Sequence, residues 1–318
     1  MKILVVDDDP FILELFPEIF ELADLTDIHT AVGGPQALEL IASEKQPFDC
    51  FVLDVDMPEM DGIELCRRIR ALPGHDMTPI LMLTARTDAV SIESAFAARA
   101  NDYISKPFNL KDVYNRIRVA ERLSEAAKTV VTIDALDISD ENPIGTHPFD
   151  LAEKLYFSNV DRLILSFSLG NYLTQLDRKT LNGCKVFCVS LDSAEQVYET
   201  TTSADFAKLL SDLGESIYSV VESQHLLMSY VGNGQFICIN RETELPDWEV
   251  LETEIQRRIE ETSYGLKADD HIAITVSVGT PIVPNANRTQ RVKNTFTRAI
   301  CRAEMRASNK ASVAVKSN

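Results

Sequence analysis

"CFVLDVDMPEMDG", residues 50–62, decides how the front of this chain folds. Four apolar residues run straight into an acid, a proline-containing stretch turns the chain, and a helix is expected over 62–71. A short apolar run set between helices reads as a strand covered on both faces, which is the habit of a parallel sheet. The same alternation continues on either side. Upstream stand "KILVV", a helix from about Pro10 to Leu22, "DIHTAV" and a helix over 35–44; downstream stand "PILMLTA", a helix near 89–99, "DYIS" and a helix from Asn109 to about Lys128. Five strands alternating with five helices predict a doubly wound α/β domain whose site crevice lies at the strand C-terminal ends.

Polar residues stand at those ends: Asp7 and Asp8 after the first strand, Asp54 ending the third, Thr84 the fourth and Lys106 the fifth. Three carboxylates at one sheet edge repel each other unless a cation sits among them, and all-oxygen ligation with water completing the shell suits Mg²⁺. A carboxylate can also attack a phosphoryl group while a metal, a lysine and a hydroxyl neutralise its oxygens. Asp54 is placed to be that nucleophile. A single aspartate after a strand is usually a turn residue, but five such groups at one edge are poorly explained that way.

The 318 residues suggest about two domains, and 45% apolar with 25% charged residues describes an ordinary globular chain. A net charge of −18, acidic in both halves, offers no positive field to a polyanion, so no nucleic acid partner is expected. Four apolar residues before "DDD" are too short for a signal-peptide core, and no run reaches membrane-spanning length, so a cytoplasmic protein without membrane contact is expected. Six scattered cysteines without a C-x-x-C pair read as reduced core thiols.

Over residues 1–122, "VVDDD", "LDVDMPEMDG", "LTA" and "YISKPF" resemble, in order and spacing, the receiver domains of two-component response regulators. The resemblance implies a flavodoxin-like fold in which Asp54 accepts phosphate from a sensor histidine kinase or phosphotransfer protein. Asp7 and Asp8 then hold Mg²⁺ together with Asp54, Thr84 and Lys106 bind the phosphoryl group, and Tyr103 changes rotamer when Thr84 moves. It also implies a cis Lys106–Pro107 bond and a homodimer on phosphorylation. Arg99 departs from the family, which usually has glycine there, and bears on the geometry of that dimer.

Residues 123–150 read as a helical extension and polar connector, with alternation over Val131, Ile133 and Ala135 allowing a short strand. From about 151 the pattern becomes a helix (161–177), "KVFCVSLD", a helix (203–221), "LLMSYV", an Asn-Gly turn, "QFICIN", a helix (248–262), "HIAITVSVG" and a last helix (293–307). A hairpin between helices predicts an α+β domain with a mostly antiparallel sheet.

This order resembles, weakly, the GGDEF domains of diguanylate cyclases over 151–318. Asp161, Leu163, Tyr172 and Leu176 fall at the opening motif, Asp192 at the first metal aspartate, and "SVG" and "RAE" at the closing motifs. "GNGQF", with Gly232, Asn233, Gly234, Gln235 and Phe236, falls at the signature hairpin. The turn chemistry survives, but the metal carboxylate is replaced by Gly234 and the phosphate-contacting lysine by Glu304. The opening Asn-Arg-Arg is replaced by Ser168, Leu169 and Gly170, and the inhibitory Arg-x-x-Asp by "SQHL" at 223–226.

The reading is therefore a response regulator with a degenerate, non-catalytic output. Binding of GTP or cyclic di-GMP without turnover stays open, because Gly232 and Gly234 leave backbone for a ligand to approach, and Asp192 is a remnant metal site or a turn aspartate. The alternatives are a working diguanylate cyclase and a DNA-binding regulator with a winged helix. Basic residues concentrate only near Arg288–Arg306, where Glu304 interrupts them.

Overall fold

The computed structural model describes residues 1–21, 24–85, 88–127, 130–133, 143–223, 225–241, 245–262, 274–284 and 290–317, with side chains left out at 126–127 and 313–317. Leu22, Lys128, Ala135, Gln224, Arg288 and the start of "HIAITVSVG", all named above, lie outside these. The chain divides into two compact units, Met1–Thr129 and Val130–Asn318.

The first unit alternates β1 (Ile3–Val6), α1 (Pro10–Glu21), β2 (Ile28–Ala31), α2 (Gly34–Ser43), β3 (Cys50–Asp54), α3 (Gly62–Arg70), β4 (Ile80–Thr84), α4 (Ala89–Ala97), β5 (Asp102–Ser105) and α5 (Leu110–Ala127). Its strands lie in the order β2-β1-β3-β4-β5, every pair parallel. The strand order reverses between β1 and β3, so their C-terminal ends open the crevice. β1, β3 and β4 are buried along their whole length. On one face Val5, Val52 and Leu83 pack with Phe16, Phe20, Val113 and Ile117, each worth about 1.5–3 kcal/mol when fully buried. Asp61 caps α3 by accepting from Glu64 N at 2.7 Å, and Asp88 caps α4 by accepting from Val90 N and Ser91 N.

Arg99 follows α4 with φ +71°, a left-handed residue where a side chain costs about 1 kcal/mol relative to glycine. Its carbonyl is gripped by the buried Arg70, whose guanidinium also donates to the carbonyls of His75 and Thr78 and to Asn101 Oδ1.

The second unit holds β6 (Val131–Thr132), β7 (Leu155–Tyr156), α6 (Ser166–Gln175), α7 (Arg178–Gly183), β8 (Lys185–Leu191), α8 (Ala194–Thr200), α9 (Ser203–Val221), β9 (Leu226–Tyr230), β10 (Gln235–Asn240), α10 (Trp248–Thr262), β11 (Val276–Val278) and α11 (Arg291–Ser317). Its main sheet runs β11-β8-β10-β9 with all neighbours antiparallel. Strand, helix, hairpin, helix, strand in that order is the split βαβ arrangement, so the expected antiparallel sheet with helices is present. Gln235 and Phe236 are consecutive in β10 and point to opposite faces. Glu304 of α11 meets Gln235, and a Cβ on Gly214 of α9 would lie 3.5 Å from the Phe236 ring, so α11 and α9 cover opposite faces.

Two expectations need correction. The helix expected from 161 starts at Ser166, because Arg162 is left-handed and Leu163 bridges to Met228 along the outer edge of β9. Two short helices are unexpected from sequence, α7 before β8 and α8 after it. Residues 143–156 belong to the second unit, held there through Gly145 N to Thr201 O, His147 Nε2 to Tyr198 O and the parallel β6–β7 pair.

Candidate functional site

Asp7 leaves β1, Asp54 ends β3, Thr84 ends β4 and Lys106 follows β5, so parallel pairing brings four chain segments to one edge. Asp7 is fully buried, Asp54 is 4% exposed and Asp8 is open to solvent. One oxygen from each of Asp7, Asp8 and Asp54 lies within 4.8 Å of the others. The Lys106 ammonium donates to Asp7 Oδ2 at 2.7 Å and Asp54 Oδ1 at 2.5 Å. The other Asp7 oxygen accepts from Asp9 N at 3.0 Å, which fixes the carboxylate. Lys106 N donates to Thr84 O at 2.7 Å, and the Lys106–Pro107 peptide is cis, as expected. Thr84 and Tyr103 are buried.

Burial lifts the Asp54 carboxyl above its ordinary range; Lys106 opposes this and the Asp7 charge adds to it. For Lys106 burial works the other way, but its two carboxylate partners outweigh it and hold the ammonium charged. An acidic edge with a fixed cation can host a divalent ion and a phosphoryl group together. Gly62 explains the end of the opening stretch: a Cβ there would sit 2.0 Å from the carbonyl oxygen of Asp54, so α3 reaches the strand end only through glycine.

In the second unit the Asn-Gly hairpin forms, with Gly232, Asn233 and Gly234 at φ +92°, +53° and +70° and Val231 N donating to Gln235 O. Phe236 is fully buried. At Gly232 and Gly234, where the sequence leaves backbone for a ligand to approach, protein occupies the direction a side chain would take. A Cβ on Gly232 would lie 2.5 Å from Ala152 O, and one on Gly234 would lie 2.8 Å from Ala194 Cβ. Asn233 N also donates to Leu151 O at 2.7 Å.

Asp192 stands at the end of β8, and Ser277 Oγ donates to its Oδ2 at 2.9 Å. Its cationic neighbour, Lys310 Nζ at 3.5 Å, went unrecognised in the sequence, where nothing but the amphipathic run of the last helix points to it.

Among the described residues no helix is long and apolar enough to cross a membrane. Residues 3–118 match the response regulator receiver domain family. Response regulator MprA of Mycobacterium ulcerans is 41% identical over 188 residues, covering 57% of this chain and 77% of the relative. Heme response regulator HssR of Staphylococcus aureus is 36% identical over 140 residues, covering 44% and 60%. The chemotaxis protein CheY4 of Vibrio cholerae is 30% identical with a TM-score of 0.36, covering 37% of this chain and 97% of that structure. The receiver architecture, the acidic edge and the 77% of MprA spanned at 41% identity agree: this chain belongs to the response regulators.

Proposed function

We propose that Asp54 is phosphorylated by a histidine kinase or phosphotransfer protein and that the second unit answers as a non-catalytic, GGDEF-like output. The carrying observation is the Lys106 ammonium shared between Asp7 and Asp54, with Asp8 completing the acidic trio. An Asp54 oxygen attacks the phosphorus in line, an O–P bond forms as the N–P bond of the phosphohistidine breaks, and the departing imidazole takes a proton from solvent. Asp7, Asp8 and Asp54 would hold Mg²⁺, which supplies charge neutralisation at the phosphoryl oxygens. Lys106 pairs with a second phosphoryl oxygen, Thr84 with a third, and Tyr103 settles against the moved threonine to report the change.

For the output, the split βαβ order supports the GGDEF-like reading, and the chemistry of the hairpin argues against turnover. Gly234 stands at the metal carboxylate position, and Gln235 Nε2 donates to Glu304, a negative group where a triphosphate would need a lysine. Losing one such role costs about 10²–10⁴ in rate. A winged-helix output gains no support from a four-stranded antiparallel sheet flanked by long helices.

A small acyl phosphate with Mg²⁺ should label the wild type and leave Asp54→Asn unlabelled; equal labelling overturns the phosphoacceptor. The phosphorylated protein with GTP and Mg²⁺ or Mn²⁺ should yield no cyclic di-GMP; product that vanishes in Asp192→Ala restores the cyclase. A mobility shift with genomic fragments would establish the DNA-binding alternative.

A further inference from the structure

Asp192 is the residue through which the second unit would take a metal if the GGDEF resemblance extended to its chemistry, and the groups around it do not fit one. Mg²⁺ and Mn²⁺ ask for several oxygen donors around one point. Asp192 Oδ2 is already engaged by Ser277 Oγ, leaving Oδ1, which has no hydrogen-bond partner among the described residues. The second carboxylate is absent at Gly234, and that position has no room for one, since a Cβ there would fall 2.8 Å from Ala194 Cβ and 3.0 Å from Leu191 Cβ.

A cation is nonetheless present. Lys310 Nζ reaches across from α11 to donate to Val276 O at 2.7 Å, and stands 3.5 Å from Asp192 Oδ2 and 3.6 Å from Glu252 Oε1. Glu252 in turn accepts from Val278 N at 2.9 Å and pairs with Arg306 Nη2 at 2.9 Å. Two carboxylates, 12% and 10% exposed, are thus balanced by two cations of a single helix. An ammonium tethered to the fold loses little on binding and needs no ion from solution, while a divalent ion entering here would meet its positive charge first.

We infer that Lys310 is the resident cation of the second unit, holding Asp192 and Glu252 at the end of the sheet so that this unit keeps its structure without a metal. The inference rests on the non-catalytic reading of the output and deepens it.

Mn²⁺ titrated into the full-length protein and followed by the paramagnetic resonance of the free ion should give one site, and Asp192→Asn should leave that count unchanged. Two sites in the wild type with one lost in Asp192→Asn overturns the inference. Urea unfolding of Lys310→Met, Asp192→Asn and the double variant should show coupling. Lys310→Met should lower the folded-to-unfolded ratio, and the same change on the Asp192→Asn background should cost roughly tenfold less in that ratio, since the one carboxylate then deprived of the ammonium, Glu252, keeps its pairing with Arg306. Strict additivity also overturns it. Cyclic di-GMP synthesis would fail the functional reading, whereas a second Mn²⁺ without product fails only this one.

Discussion

His75 and Asp54 give the first unit two opposed responses to pH. His75 is buried against Phe51, beside the Arg70 guanidinium that its carbonyl caps. Burial, reinforced by the Arg70 charge, lowers the imidazole below its ordinary value, with Asp76 pulling weakly the other way. The folded state thus prefers the neutral ring, so this stabilisation is complete above about pH 6.5 and is lost as pH falls through the depressed value. Asp54 acts in reverse, because burial raises its carboxyl and the folded state gains on protonation. In metal-free buffer, denaturant midpoints of Asp54→Asn should therefore fall between pH 7 and pH 5, and adding His75→Phe should flatten that fall. A fall that persists unchanged without His75 would show that other groups carry it. None of this is legible in the sequence, where His75 sits in a polar turn and Arg70 reads as an exposed helix end. By contrast the five site residues are legible, since each ends or follows a strand and a parallel sheet gathers such ends whatever the packing details.

Elements differ in legibility for a related reason. β8, β9 and β10 stand out because their apolar runs are bounded by turn residues, and α9 and α10 fall where their 3.6-residue periodicity places them. The start of α6 is hidden, because what stops it is a tertiary pairing of Leu163 with β9. The outer edge of β11 shows the same dependence. Strand edges invite association unless their polar groups are covered. Here α10 covers them with side chains: Gln256 accepts from Val276 N at 2.9 Å and donates to Ile274 O at 2.9 Å, while Glu252 accepts from Val278 N. These are residues of an amphipathic helix that sequence alone would leave in solvent. Gln256→Ala uncovers one backbone donor and one acceptor, so the second unit should lose about 1–3 kcal/mol in urea unfolding. Gln256→Glu keeps the acceptor but sets a carboxylate oxygen against Ile274 O and the Glu260 carboxylate, so it should lose at least as much. Equal stability of both variants with the wild type would show the edge satisfied by water instead.

At the scale of the whole molecule, two compact units with separate cores should unfold separately, and the cysteines are distributed to reveal it. Cys50 and Cys66 are buried in the first unit, Cys184, Cys188 and Cys238 in the second, and Cys301 alone is exposed. Burial pushes the Cys66 thiol up to about 11 and raises Cys50 and Cys188 further, so none forms a reactive thiolate while its unit is folded. The native protein should thus consume one equivalent of a thiol reagent quickly, at Cys301. Under mild denaturant the buried thiols should react as two sets, each at the rate its own unit opens. On the proposed function, Mg²⁺ held by Asp7, Asp8 and Asp54 would stabilise only the fold that assembles that trio, by about 2.7 kcal/mol at a hundredfold excess over its dissociation constant. Adding it should slow modification of Cys50 and Cys66 about a hundredfold and leave Cys184, Cys188 and Cys238 unchanged, as mass mapping of the labelled peptides would read. Protection spread evenly over both sets would mean that the two units open as one, and that occupancy of the acidic edge is felt energetically throughout the chain.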